Sequence, residues 1–307
     1  MAKSPLISII MNCYNSDKYL KEAIDSAYAQ TYPNWEIIFY DNQSTDNSAK
    51  IAQSYDKRLR YILADKHSNL AIARNKAFSH AKGELIAFLD CDDVWYPEKL
   101  ATQVPHFVQD PDLSILYGNE YINNVVRGSK YLFFKEKQPS GFVFKAALDH
   151  YPVSILMAVV RKSCLDKLDY VFDEKVLYCN DYDLFMRILM QHKAMFLDQP
   201  LGETRWHIDN CSNRFKEALV DDTLYSLNKF KHMPMMSCYH DALNKSIDNN
   251  KLKKVYARLQ TDKRLLNYLA AVIKIKRIYL WPRALFFMMT FFKISLRACW
   301  RSIRSKT

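Results

Sequence analysis

The chain alternates apolar runs of strand length with helical periods, and this rhythm limits the folds open to it. Ser8-Ile9-Ile10-Met11 reads as a buried strand, and Asp17 to Gln30 carries Leu20, Ala23, Ile24 and Ala27 on one face at helical spacing. Trp35 to Tyr40 is the next strand. The polar turn after it, Asp41 to Asp46, is suited to cap a helix over 47–54. Leu59 to Ile62 predicts a short strand, Asn69 to Ala81 a helix ended by Gly83, and Leu85 to Leu89 a further strand. Alternation of this kind predicts an α/β fold with a mostly parallel, doubly wound sheet. In such sheets ligands sit beyond the C-terminal ends of the strands. Three polar clusters fall at those ends: Asn12-Cys13-Tyr14-Asn15, Asp41-Asn42 and Asp90-Cys91-Asp92-Asp93. They are expected to converge on one crevice.

The last cluster has two readings. Three carboxylates at a strand tip suit a hard divalent cation, which prefers oxygen ligands and is commonly held by one or two carboxylates plus substrate phosphates. The same residues would also serve as an acidic turn, with Asp92 or Asp93 capping a helix at Tyr96 to Leu100. The five glycines, Gly83, Gly118, Gly128, Gly141 and Gly202, build neither a Gly-x-Gly-x-x-Gly nor a Walker loop. A nucleotide bound here therefore needs something other than a glycine cradle to neutralise its phosphates, and a carboxylate-held metal would do so.

Charge is segregated. Residues 251–307 hold fifteen Lys and Arg against one acid, Asp262, while residues 1–250 are slightly acidic. The excess points to a partner for the tail rather than to a basic active site. Residues 263–280 and 283–304 read as two helices separated at Trp281-Pro282, the second rich in Phe and Met with Arg283, Lys293, Arg297, Arg301 and Arg304 on one side. Its apolar run is short of the ~20 residues a span needs. A basic amphipathic helix on an anionic membrane surface is expected, and the apolar content argues against nucleic acid. Seven scattered cysteines without a Cys-x-x-Cys fit a reducing compartment. Leu6 to Met11 is too short for a signal peptide and reads better as the first strand.

The ordered blocks Ile7 to Asn15, Asp41 to Ser48, Asn69 to Asn75, Phe88 to Asp93 and Asn180 to Arg187, with a weaker sixth at Arg205 to Ser212, resemble an inverting family-2 glycosyltransferase of the GT-A fold over about residues 5–215. The chain departs from the family pattern at Asn12 (usually Pro), at Asp41-Asn42-Gln43 (usually Asp-Asp-Gly) and at Asn180 (usually Glu). The resemblance implies a GT-A catalytic domain over 1–215, a Rossmann-like sheet flanked by helices, and a helical C-terminal extension over 216–307. It implies a UDP-sugar donor contacted by Asn12, Tyr14, Asp41, Arg74, Asp90 and Asp92, with Asp41 accepting from the uracil N3–H. Asp92 would ligate Mn²⁺ or Mg²⁺ with His207 completing the shell, and Asp181 would be the general base. Asp183, off that helical face, reads as structural.

The implied reaction transfers a sugar to a saccharide hydroxyl or lipid-linked glycan for surface polysaccharide, at the inner face of the cytoplasmic membrane. Two other readings stand beside it. One is a non-catalytic nucleotide-sugar or glycan-binding module. The other is a sugar-nucleotide pyrophosphorylase, a class that relies on an N-terminal glycine-rich loop absent here.

Overall fold

A computed structural model of the chain describes residues 4–261. The two tail helices expected over 263–304 lie outside them. By internal contacts the chain divides into two units, Met1–Phe215 and Lys216–Thr307.

The first unit begins with β1 (Ile7–Cys13), α1 (Asp17–Tyr28), β2 (Trp35–Asp41), α2 (Ser48–Ala52), β3 (Leu59–Leu63), α3 (Leu70–Ser79) and β4 (Leu85–Phe88). It continues through β5 (Val94–Trp95), α4 (Lys99–Gln109), β6 (Leu113–Gly118), β7 (Tyr121–Asn124), β8 (Ser129–Leu132) and α5 (Phe144–Asp149). It closes with β9 (Val159–Arg161), α6 (Lys162–Leu165), α7 (Asn180–Leu189), β10 (Lys193–Leu197), β11 (Gly202–Trp206) and α8 (Cys211–Arg214). The larger sheet has seven strands in the order β10-β6-β9-β4-β1-β2-β3. All neighbours are parallel except β9, which runs antiparallel to both β4 and β6. This is the expected α/β architecture.

Local sequence explains the elements. In α1 the residues expected on one face, Leu20, Ala23, Ile24 and Ala27, are all buried. The α3 helix starts where the Asn69 side chain accepts from the Ile72 N–H. Gly83 allows a close crossing, since a Cβ there would lie 2.4 Å from the Ser8 backbone nitrogen. Strand β9 begins only at Val159, because Ile155 to Met157 form a turn.

The second unit, among the described residues, holds α9 (Lys216–Lys231), a 3₁₀ turn at Pro234–Tyr239 and α10 (His240–Thr261). The polar stretch Asp248-Asn249-Asn250 does not interrupt α10. Asn250 there donates back to the Ser246 carbonyl and Lys251 pairs with Asp248, so polar residues that suit a turn are accommodated inside a helix. No described helix is long and apolar enough to cross a membrane.

The smaller sheet of the first unit has the order β5-β11-β7-β8, with β11 parallel to β7 and antiparallel to β5. It lies against the acidic tip through Asp93, whose Oδ1 accepts the Arg205 backbone N–H at 2.9 Å. Asp93 is therefore not a helix cap, and neither is Asp92: α4 opens at Lys99 with no side-chain cap. Burial, with help from Asp92, Asp90 and Glu120, pushes the Asp93 carboxyl well above the usual range, so its neutral form is favoured. Asp93→Asn, which mimics that neutral acceptor, should cost less than about 1 kcal/mol of stability, whereas Asp93→Ala, which leaves the Arg205 N–H unpaired, should cost about 1–3 kcal/mol. Urea unfolding of the two variants checks the difference.

Candidate active site

Strands β1, β2 and β4 are parallel and end together, so the three polar clusters meet at one end of the sheet. The Cys91 thiol donates to the Asn12 carbonyl at 3.2 Å, tying the β4 tip to the end of β1.

A single guanidinium organises one wall. Arg74, on α3, is buried, its guanidinium over the Phe172 ring. One of its nitrogens donates to Asp90 Oδ1 at 3.0 Å and another to Asn180 Oδ1 at 2.6 Å. Asp90 is 37% exposed, open toward the crevice on one side. Burial raises its carboxyl, Arg74 opposes the rise and Asp92 adds to it. Asp181 follows Asn180 in the first turn of α7. Burial raises its carboxyl too, partly offset by Arg74 and by the Tyr182 backbone N–H, with Asp90 adding a further push. Buried Tyr151 lies within electrostatic reach of Asp181, with its ring against Tyr182. Asp183 is fully buried and paired with Arg187, a structural ion pair as expected.

The other wall is built by the smaller sheet. β11 delivers His207, whose Nε2 lies 2.9 Å from Asp92 Oδ2. Asn210 donates to the same oxygen at 3.1 Å and also accepts the His207 backbone N–H. The arrangement assigns the Nε2–H tautomer to His207, leaving its buried Nδ1 without a partner. No group of three or more His, Cys, Asp or Glu side chains placed to hold an ion occurs among the described residues. Asp92 supplies a carboxylate oxygen, and His207 would supply its Nε2 once the proton it shares with Asp92 is given up. That is a partial donor set, of the kind that leaves positions for phosphate oxygens and water. The residues present fit a divalent ion bound jointly with a diphosphate.

At the ends of β1 and β2, Tyr14 is half exposed and its ring lies 4.3 Å from that of His67, an aromatic surface beside the crevice. His67 donates through Nδ1 to the Asn42 carbonyl, and Asn42 in turn binds Ser68 through both side-chain atoms. The Asn12 side-chain amide is buried with neither atom hydrogen-bonded. Asp41 is fully buried, with Oδ1 accepting the Ser44 N–H at 2.8 Å and Oδ2 accepting the Tyr61 hydroxyl at 2.7 Å. It braces the loop that follows β2. His67 and Tyr151 were missed in the sequence because no short motif marks them; Asn210 lies within the sixth block, but its bond to Asp92 joins residues 118 positions apart.

The structure thus brings Asp90 to Arg74 and Asp92 to His207, and ties Asn12 to the β4 tip through Cys91. Residues 8–164 match the sequence profile described as Glycosyl transferase family 2. A curated relative from Escherichia coli, the UDP-Glc:alpha-D-GlcNAc-diphosphoundecaprenol beta-1,3-glucosyltransferase WfgD, is 29% identical over 88% of this chain and 94% of its own length. The Staphylococcus aureus TarS 1–349 structure in complex with UDP-GlcNAc superposes with a TM-score of 0.71 at 20% identity, over 88% of this chain and 80% of that one. The mannosyltransferase PcManGT from Pyrobaculum calidifontis, in complex with GDP-Man and Mn²⁺, gives a TM-score of 0.65 at 18% identity, over 98% and 83%. Fold and sequence profile agree: the chain has the GT-A fold and belongs to glycosyl transferase family 2.

Proposed function

We propose that this protein is an inverting, metal-dependent glycosyltransferase that moves a sugar from a UDP-sugar to a saccharide hydroxyl during assembly of a surface polysaccharide. The observation that carries the reading is the Asp90–Arg74–Asn180 chain, in which one buried guanidinium links the strand tip to the helix turn that holds Asp181. A donor-side carboxylate and a candidate base are thereby held on one wall, with the Asp92–His207 pair on the other. The WfgD name, with its UDP-Glc donor and diphosphoundecaprenol-linked acceptor, supports both the donor class and a lipid-linked acceptor. On this reading residues 1–215 are the catalytic domain, and residues 216–307 place the enzyme at the inner face of the cytoplasmic membrane.

The residues divide the work. Tyr14 and His67 offer rings to the nucleobase, and the unpaired Asn12 amide faces a ligand that would satisfy it. Asp90 contacts the ribose or the donor sugar. Asp92 and His207 hold Mg²⁺ or Mn²⁺ together with the diphosphate; when bound, the ion neutralises charge on the departing group. Asp181 takes the proton from the acceptor hydroxyl as that oxygen attacks the anomeric carbon. The carbon–oxygen bond to the diphosphate breaks on the opposite side, UDP leaves, and the anomeric configuration inverts. A carboxylate raised by burial accepts a proton more readily than an ordinary aspartate.

Asp181→Asn should lower transfer at least about a hundredfold while UDP affinity stays unchanged, in the range expected for loss of a general base. Steady-state transfer and calorimetric UDP binding separate the two, and normal transfer would remove Asp181 from the role. Because Asp181 acts ionised, the rate should rise with pH through its folded pKa. Arg74 lowers that pKa, so Arg74→Gln should move the acid limb of the rate profile to higher pH; an unmoved limb counts against the assignment. Mn²⁺ and UDP titrated separately and together should bind cooperatively in the native protein. That coupling should vanish in Asp92→Asn, and UDP binding indifferent to metal would sink the joint site.

A further inference from the structure

Two parallel strands of the smaller sheet end beside the crevice and expose apolar side chains there. In β7 and β11, Asn124 stands opposite Trp206, and the Val125 N–H donates to the Trp206 carbonyl. The next residue of β11 is His207, the partner of Asp92, and after it comes Ile208, 73% exposed. The next residues of β7 are Val125 and Val126, 41% and 61% exposed. These three apolar side chains therefore emerge at neighbouring strand ends, one residue beyond the metal-side wall.

The hairpin is built to stand free. The Arg127 N–H donates to the Asn124 side chain, and Gly128 adopts a φ of +62° with nothing within 4 Å of a Cβ placed on it. Past the turn, β8 is the outer strand of its sheet, and Tyr131 and Phe133, two residues apart on the same face, are both exposed. Residues 125–137 carry four bases, Arg127, Lys130, Lys135 and Lys137, against one acid, Glu136. Lys130 is tied to Glu203, and the other three bases are exposed. Exposed Asp209 beside Ile208 is the one acid at the apolar rim.

We infer that this hairpin, with Ile208 beside it, is a membrane-facing surface that seats the crevice against an anionic lipid bilayer. Exposed valines, isoleucine and aromatic rings would enter the interfacial layer while flanking bases meet acidic headgroups, the combination that binds peripheral proteins to such surfaces. The chemistry suits the position. An acceptor anchored in a bilayer presents its hydroxyl near the headgroups, and a crevice whose rim touches that layer can reach it. This purpose rests on the proposed glycosyl transfer to a lipid-linked acceptor. The surface itself does not, and its test needs no transfer.

The test uses the full chain and vesicles of phosphatidylcholine with and without phosphatidylglycerol. The native protein should partition onto the anionic vesicles, and the Val125→Asp, Val126→Asp double variant should lose about tenfold or more of that partitioning, through loss of apolar insertion and added repulsion. Position is read separately. Val126→Trp should gain fluorescence that brominated lipids quench, whereas Phe142→Trp should not. Phe142 is 78% exposed but follows Gly141, which bridges the start of β10 at the opposite end of the large sheet. Unchanged partitioning of the double variant, or equal quenching at the two tryptophans, overturns the proposal. So does a double variant that keeps its vesicle binding but loses transfer to a lipid-linked acceptor, since the hairpin would then grip the acceptor's lipid rather than the bilayer.

Discussion

One buried cation, Arg74, joins the tip of β4 to the first turn of α7. Arg74 lies away from water, and its two long-range hydrogen bonds reach residues sixteen and 106 positions away. A guanidinium in such a place requires partners on more than one side, because a buried unpaired charge is costly. It is satisfied by one carboxylate and one neutral amide. The neutral partner matters: a second acid at position 180, the usual family residue, would share the charge that Asp90 and Asp181 now draw on. With Asn180 there, the positive field of Arg74 acts on the two carboxylates that border the crevice.

The opposite wall depends on the smaller sheet. Asp93 secures Arg205 by a backbone bond, and the same strand then places His207 on Asp92. Arg205 adds a pair to Glu22 and a contact over Tyr19, which tie β11 to α1. The acidic tip thus carries three different duties in four residues. Asp90 answers the arginine, Asp92 faces the histidine, and Asp93 is a buried structural acceptor.

Much of the framework was legible in the sequence, because periodicity is a local property. The buried face of α1, the parallel strands and the convergence of their polar ends all follow from spacing within a dozen residues. Roles inside the site were less legible, because long-range partners decide them. Whether Asp93 caps a helix or braces a strand is set by a nitrogen 112 residues away. Asp41 has the look of an open strand-end acid, yet in the folded chain one oxygen accepts from the Tyr61 hydroxyl of β3 and the other from the Ser44 N–H three residues on. His67 carries no signature at all, and Asn210, inside the sixth block, is singled out only by its bond to Asp92 in the folded chain.

The separation of Asp92 from His207 along the chain has a consequence for biosynthesis. Synthesis is vectorial, and domains fold as their chain emerges. The Tyr14–His67 side of the site uses residues 12–67, whereas the Asp92–His207 pair cannot form until residue 207 has left the ribosome. A nascent chain can therefore form its first strands and their loops well before Asp92 has its histidine partner. Completion of that wall is thereby coupled to completion of the second sheet, so a truncated product lacking it would leave Asp92 without His207 and Asn210.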